Sequence, residues 1–116
     1  MVPMPFINLK TNTAVSDDQA TKLKAAFGQD ITAIPGKSEA WLMVEISPEN
    51  KLYFKGSDEP AAIAEVSVFG NAAKDALEDL TAKICDSVED ALGIPSSRIY
   101  VKYDLVPNWG WNGGNF

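Results

Sequence analysis

The stretch AIAEVSVFGNAAKDALEDLTAKICDSVEDALGIPSSRIYVKYDL, residues 62–105, decides the fold. Its opening residues alternate, which puts Ala62, Ala64, Val66 and Val68 on one face of a strand. Gly70-Asn71 then opens a helix in which Ala73, Leu77, Leu80, Ile84, Val88 and Leu92 recur at spacings of three or four. Gly93-Ile94-Pro95 stops that helix, and IYVKYDL at 99–105 reads as a second strand. Two strands joined by such a helix lie parallel, with the helix crossing one face of the sheet.

Working outward, the N-terminal half repeats this plan. FINLKT (6–11) reads as a strand. Ser16 followed by Gln19 is a capping-box signature, and Asp17 and Asp18 suit the positive end of the helix dipole. Ala20, Leu23, Phe27, Ile31 and Ile34 form one apolar stripe, predicting a helix over about 17–33 that Pro35-Gly36 ends. WLMVEI (41–46) follows as a strand, SPEN (47–50) as a turn and LYFKG (52–56) as a further short strand. Ile34-Pro35 and Ile94-Pro95 stand 60 residues apart in corresponding places. Two such units side by side predict an α+β domain: a four-stranded mixed sheet with both helices on one face. The other face is left bare, and depending on register it includes residues such as Ile63, Phe69, Tyr100 and Tyr103. A bare apolar sheet face is a partner surface, so a homo-oligomer is expected.

Composition narrows the chemistry. At 116 residues the chain fits a single domain, residues 1–116, with enough buried surface for a core. One cysteine permits neither an internal disulfide nor a CxxC pair. With no histidine, there is no Ser-His-Asp or Cys-His nucleophile, no HExxH zinc site and no imidazole base. An acid–base enzyme built on this chain needs another group that titrates near neutrality. The net charge of −6, with scattered Lys and Arg, argues against nucleic-acid binding. No apolar stretch approaches membrane-spanning length, and the N-terminus lacks a signal-peptide layout. The expectation is a soluble cytoplasmic protein; secretion by a route without a signal peptide leaves no mark in a sequence.

The start MVPMPFINLK allows two readings. Pro3 and Pro5 open an edge strand, where proline is tolerated. Alternatively, Pro5 freed by removal of Met4 carries a secondary amine, whose pKa falls on desolvation or near cations. Cys85, in the second helix near its apolar stripe, reads as a buried structural thiol. Asn112-Gly113-Gly114 lacks the context of a phosphate loop and reads as a terminal turn.

PFINLKTN (5–12), PGKSEAW (35–41), YFKGSDEPAA (53–62), IPSSRIYVKYD (94–104) and GWNGGNF (110–116), in that order, resemble the macrophage migration inhibitory factor family. That family belongs to the tautomerase superfamily, whose members use an amino-terminal proline. The resemblance implies a β-α-β-β-α-β protomer and a homotrimer whose sheets enclose a channel, with three cofactor-independent sites at subunit interfaces. Pro5 falls on the catalytic proline, which moves a proton between carbon and oxygen of a small aryl α-keto acid such as phenylpyruvate. Lys37 falls on a lysine that binds the substrate carboxylate; by itself it is an ordinary surface lysine. Phe69 falls on a position whose backbone N–H contacts substrate. Tyr100 falls on a tyrosine from the neighbouring subunit, and Trp111 and Phe116 on aromatics that wall the pocket.

The chain departs from the family pattern in places. Pro5 is not the first residue, so its nitrogen is an amide unless residues 1–4 are an extension that is absent from the mature chain. Lys102 stands where many relatives have asparagine; it is either a second pocket cation or a solvated strand lysine. Trp109 replaces a smaller aliphatic residue and narrows or extends the pocket. Ala61 and Ala64 occupy the positions of a CxxC found in some relatives, so thiol oxidoreductase activity is not implied. Two rival readings stand beside the enzyme: a cytokine-like signalling trimer that engages a protein receptor with Pro5 blocked, and a cofactor-free small-acid-binding domain sharing only the repeat.

Overall fold

The capping box forms as its sequence signature requires. In the computed structural model, which describes residues 4–116, Ser16 Oγ accepts the Gln19 N–H at 3.1 Å and Gln19 Oε1 accepts the Ser16 N–H at 2.9 Å. Met1, Val2 and Pro3 of the expected extension lie outside the described residues; Met4 lies within them. Helix α1 (Asp17–Asp30) follows, continued by a tight helical turn at Ile31–Ala33. The second helix, α2 (Lys74–Leu92), starts a few residues later than Gly70-Asn71 suggested. It ends on Gly93, whose φ of 73° supplies the left-handed cap that a side chain would resist.

Strand β1 (Pro5–Thr11) pairs in parallel with β2 (Met43–Ser47) and antiparallel with β3 (Ala62–Phe69), and β3 pairs in parallel with β4 (Ile99–Val106). The order is β2-β1-β3-β4, so the two β-α-β units meet antiparallel at the centre. Both apolar helix stripes close on one sheet face. Leu23, Phe27 and Ile31 meet Leu80, Ile84 and Val88 over Ile7, Leu9, Ala64, Val66 and Val68, all with no exposed surface. A terminal hairpin, β5 (Gly110–Trp111) and β6 (Gly114–Asn115), turns through Asn112 and Gly113, both at positive φ.

Several expectations need correction. LYFKG forms no strand: Phe54 and Ser57 bridge across a tight turn with Lys55 and Gly56 both left-handed. The carbonyls of this loop go instead to side chains. Asn12 Nδ2 donates to those of Leu52, Asp58 and Glu59, and the Arg98 guanidinium to those of Phe54, Ser57, Glu59 and Pro60. Tyr103 is on the helix side, not the bare one, because the strand period sends it opposite to Tyr100. Its hydroxyl donates to the Leu77 carbonyl at 2.9 Å and lies 2.7 Å from Thr81 Oγ1. Nor is the bare face simply apolar. Lys10 and Lys102 flank Glu65 at 3.0 and 3.6 Å, a charged row across its middle that holds the Glu65 carboxyl below its ordinary range, Lys10 contributing most. WLMVEI begins as a strand only at Met43; Glu39–Trp41 is a short helical turn instead.

Candidate active site

Pro5 opens β1 opposite Val68 and is buried. β1 is an interior strand, not the edge strand expected, and proline, lacking an N–H, is accommodated at its first position, where a ladder donor is dispensable. Pro5 lies on the wall of a cleft of about 610 Å³, together with Met4, Phe6, Ala40, Trp41, Leu42, Met43, Ser67, Val106, Trp109 and Trp111. The cleft thus forms where the ends of β1, β3 and β4 meet the turn at 39–41 and the terminal hairpin. Trp41 stands edge-on to Trp111, centroids 5.2 Å apart at 87°. Phe116 stacks on Trp111 at 6.3 Å, and Phe69 lies against Phe116 at 5.6 Å. The hairpin that carries this wall is tied down by the Phe116 N–H donating to the Trp109 carbonyl at 3.0 Å.

Phe69 joins the remaining parts. Its N–H donates to the Met4 carbonyl at 3.2 Å, and its carbonyl accepts from Lys37 Nζ at 3.3 Å. Burial of Lys37 lowers its pKa below that of a free lysine. Lys37 reaches this point because its own N–H donates to the Ile34 carbonyl and Gly36, at φ 83°, turns the chain back towards β3. One cation, an aromatic wall and the Met4-Pro5 bond therefore share one end of the sheet.

Pro5, Trp109 and Trp111 line the cleft, and Lys37, Phe69 and Phe116 are joined to it by the contacts above. Tyr100 and Lys102 are not brought there. Tyr100 pairs with Ile63, five residues along β3 from the Val68 that faces Pro5, roughly 16 Å away at strand rise. It is 60% exposed and sits edge-on to Phe54 at 4.9 Å. Lys102 belongs to the charged row with Glu65. Trp41 is a wall residue that sequence reasoning took for the first residue of a strand. The signal for it was its nearness to Lys37 after Pro35-Gly36. Cys85 is half-buried, and its thiol pKa is raised by burial, with Asp86 and Glu89 adding to the shift, which disfavours a reactive thiolate.

The sequence model described as Macrophage migration inhibitory factor (MIF) matches residues 4–116. The chain belongs to the MIF family. Among its relatives, the macrophage migration inhibitory factor homolog of Trichinella spiralis is 32% identical over 118 aligned positions, covering 97% of this chain and 100% of that protein. The Xenopus laevis macrophage migration inhibitory factor is 28% identical, covering 97% and 99%. Among solved structures, Leishmania major MIF2 superposes with a TM-score of 0.92 at 34% identity, covering 97% of each chain. The doubled β-α-β sheet of this MIF-family chain is thus the fold of its relatives, and the family lies within the tautomerase superfamily.

Proposed function

We propose that this MIF-family chain is a cofactor-independent keto–enol tautomerase of small aryl α-keto acids, phenylpyruvate-like, with the amine of Pro5 as acid and base. The observation that carries this reading is the coincidence of the Pro5 nitrogen, an aromatic cleft and the partly buried cation of Lys37 at one end of the sheet. The aromatic walls suit an aryl group, and Lys37 suits a carboxylate. Desolvation and the nearby cation both depress the pKa of a prolinium, which brings its amine towards neutrality. The amine then takes a proton from C3 of the keto form, and the resulting prolinium gives it to the C2 carbonyl oxygen to form the enol, or the reverse, a role that typically contributes roughly 10²–10⁴-fold in rate.

The chemistry requires the Met4–Pro5 bond to be absent. While it is intact, the nitrogen is an amide, Met4 is 4% exposed within the cleft lining, and its carbonyl occupies the Phe69 N–H. Loss of Met4 exposes the amine and frees that N–H for substrate. The same observation favours one second reading: a chain that keeps Met4 is a binding or signalling trimer without turnover.

The protomer leaves Tyr100 far from its own Pro5, so the reading includes a homotrimer in which a neighbour supplies it, while Lys102 stays in the charged row with Glu65. The bare sheet faces, polar across their middle, then line the channel. The site of action proposed is the cytoplasm.

The deciding experiment compares protein beginning at Pro5 with protein retaining Met4, each verified by intact mass, in a phenylpyruvate tautomerisation assay. Activity confined to the Pro5 form is expected, and Pro5→Gly in that form should remove most of it. An inactive Pro5 form would end the enzymatic reading. A monomeric mass by light scattering would end the trimeric one.

A further inference from the structure

Gly28 is a buried glycine in the interior of α1, where alanine would be the better helix former. It is not among the glycines at positive φ, so conformational freedom does not explain it. Space does. A methyl on its Cα would lie 2.5 Å from both Cδ and Oε2 of Glu39, and 2.9 Å from its Cγ. The Glu39 side chain is thus seated on the bare Cα of Gly28, with Lys24, one turn earlier on α1, 3.8 Å from Oε2.

Glu39 begins the turn that carries Trp41. Within it the Trp41 N–H donates to the Ser38 carbonyl at 3.3 Å and the Leu42 N–H to the Glu39 carbonyl at 3.2 Å. Leu42 is packed against the core on one side of the turn, while the half-exposed Glu39 side chain lies over Gly28 of α1 at the other. Between them Ala40 and Trp41 form part of the cleft, with Trp41 edge-on to Trp111.

We propose that Glu39, seated on Gly28, is a positioning residue that holds Trp41 edge-on to Trp111 and so sets the width of the aryl end of the cleft. The proposal rests on the tautomerase reading for its kinetic readout only. A side chain at position 28 meets the free end of a flexible carboxylate, not backbone. Alanine there therefore evicts Glu39 while improving the helix. Fold stability and ligand fit should move in opposite directions, a result that a merely structural glycine does not give.

The test uses Gly28→Ala, Glu39→Ala and the double variant. Near-UV circular dichroism of the ligand-free protein reports the Trp41–Trp111 pair, and Trp41→Phe identifies its share of the signal. In the form beginning at Pro5, KM and kcat for phenylpyruvate are measured alongside Tm. Each single variant should change the tryptophan signal in the same way and raise KM about fivefold, with kcat nearly unchanged. The Tm of Gly28→Ala should rise. The double variant should be no worse than either single, because both remove one contact. Additive effects, or a Gly28→Ala protein with parental spectrum and KM, would overturn the proposal. Should Gly28→Ala fail to fold, the spectrum and KM of Glu39→Ala decide alone: changed, they support it; parental, they overturn it. Expected spectra without turnover in any form would uphold the positioning role while refuting the tautomerase reading.

Discussion

Lys37 Nζ donates to the carbonyl of Phe69 at 3.3 Å, and this one contact brings a cation from the end of the first helical segment to the strand beside Pro5. Because burial lowers the lysine's pKa, its charge is lost at a lower pH than that of a free lysine. In the form beginning at Pro5, KM for phenylpyruvate should therefore climb on the alkaline side before an ordinary lysine, of pKa 10.5, would titrate. Lys37→Ala should raise KM roughly tenfold at neutral pH, the loss of one charge-assisted contact, and flatten the alkaline climb. Lys37→Arg should retain binding and shift the climb beyond the accessible range. Steady-state kinetics across pH check all three.

The aromatic wall makes a second prediction. Trp111 touches Trp41 on its edge and Phe116 on its face, so removing it opens both contacts. Trp111→Ala should raise KM for an aryl substrate roughly twofold to tenfold, the value of an aromatic pair or two, and have little effect on pyruvate, which lacks the ring. Parallel kinetics on the two acids give the answer.

Arg98 is the third. Its guanidinium donates to the carbonyls of Phe54, Ser57, Glu59 and Pro60 and lies 5.2 Å from the Phe54 ring centroid. Arg98→Ala leaves that loop without a donor fork and should cost about 2 kcal/mol in denaturant unfolding. Arg98→Lys should recover less than half of the loss, since a single ammonium cannot span four carbonyls.

A fourth concerns Asp30, whose carboxyl accepts from Ser87 Oγ at 2.6 Å. Burial raises its pKa above 3.8, outweighing the lowering by Ser87 and Lys83. The folded chain thus holds the proton to a higher pH than the unfolded chain does. The ionised group opposes folding above its folded pKa, and the opposition vanishes below the unfolded value. Asp30→Asn, which keeps an acceptor for Ser87, should raise Tm at pH 7 and leave it unchanged near pH 3. Thermal melts at the two pH values test this.

The pattern of Leu23, Phe27 and Ile31 against Leu80, Ile84 and Val88 was legible in the sequence because helical spacing is local and survives into the packed core. The same holds for the capping box at Ser16 and the stop at Gly93. LYFKG was misread because its alternation is short, and what decides it is distant: Asn12 and Arg98 take the carbonyls that a strand partner would have taken. Trp41 was misplaced for a similar reason. Its turn packs Leu42 against the core and lays Glu39 over Gly28 of the first helix, contacts between segments that leave no periodic mark.

By itself, the sequence determined the doubled β-α-β plan, since hydrophobic period and turn residues act over a few neighbours. The lack of histidine likewise leaves the amine of Pro5 as the candidate base. The tertiary structure decided which residues meet. It set Phe69 between Met4 and Lys37, sent Tyr103 to the helices and Tyr100 to the open face, and paired Lys102 with Glu65. Such meetings depend on register and on chain crossings, which join residues far apart in sequence, and no local pattern encodes them.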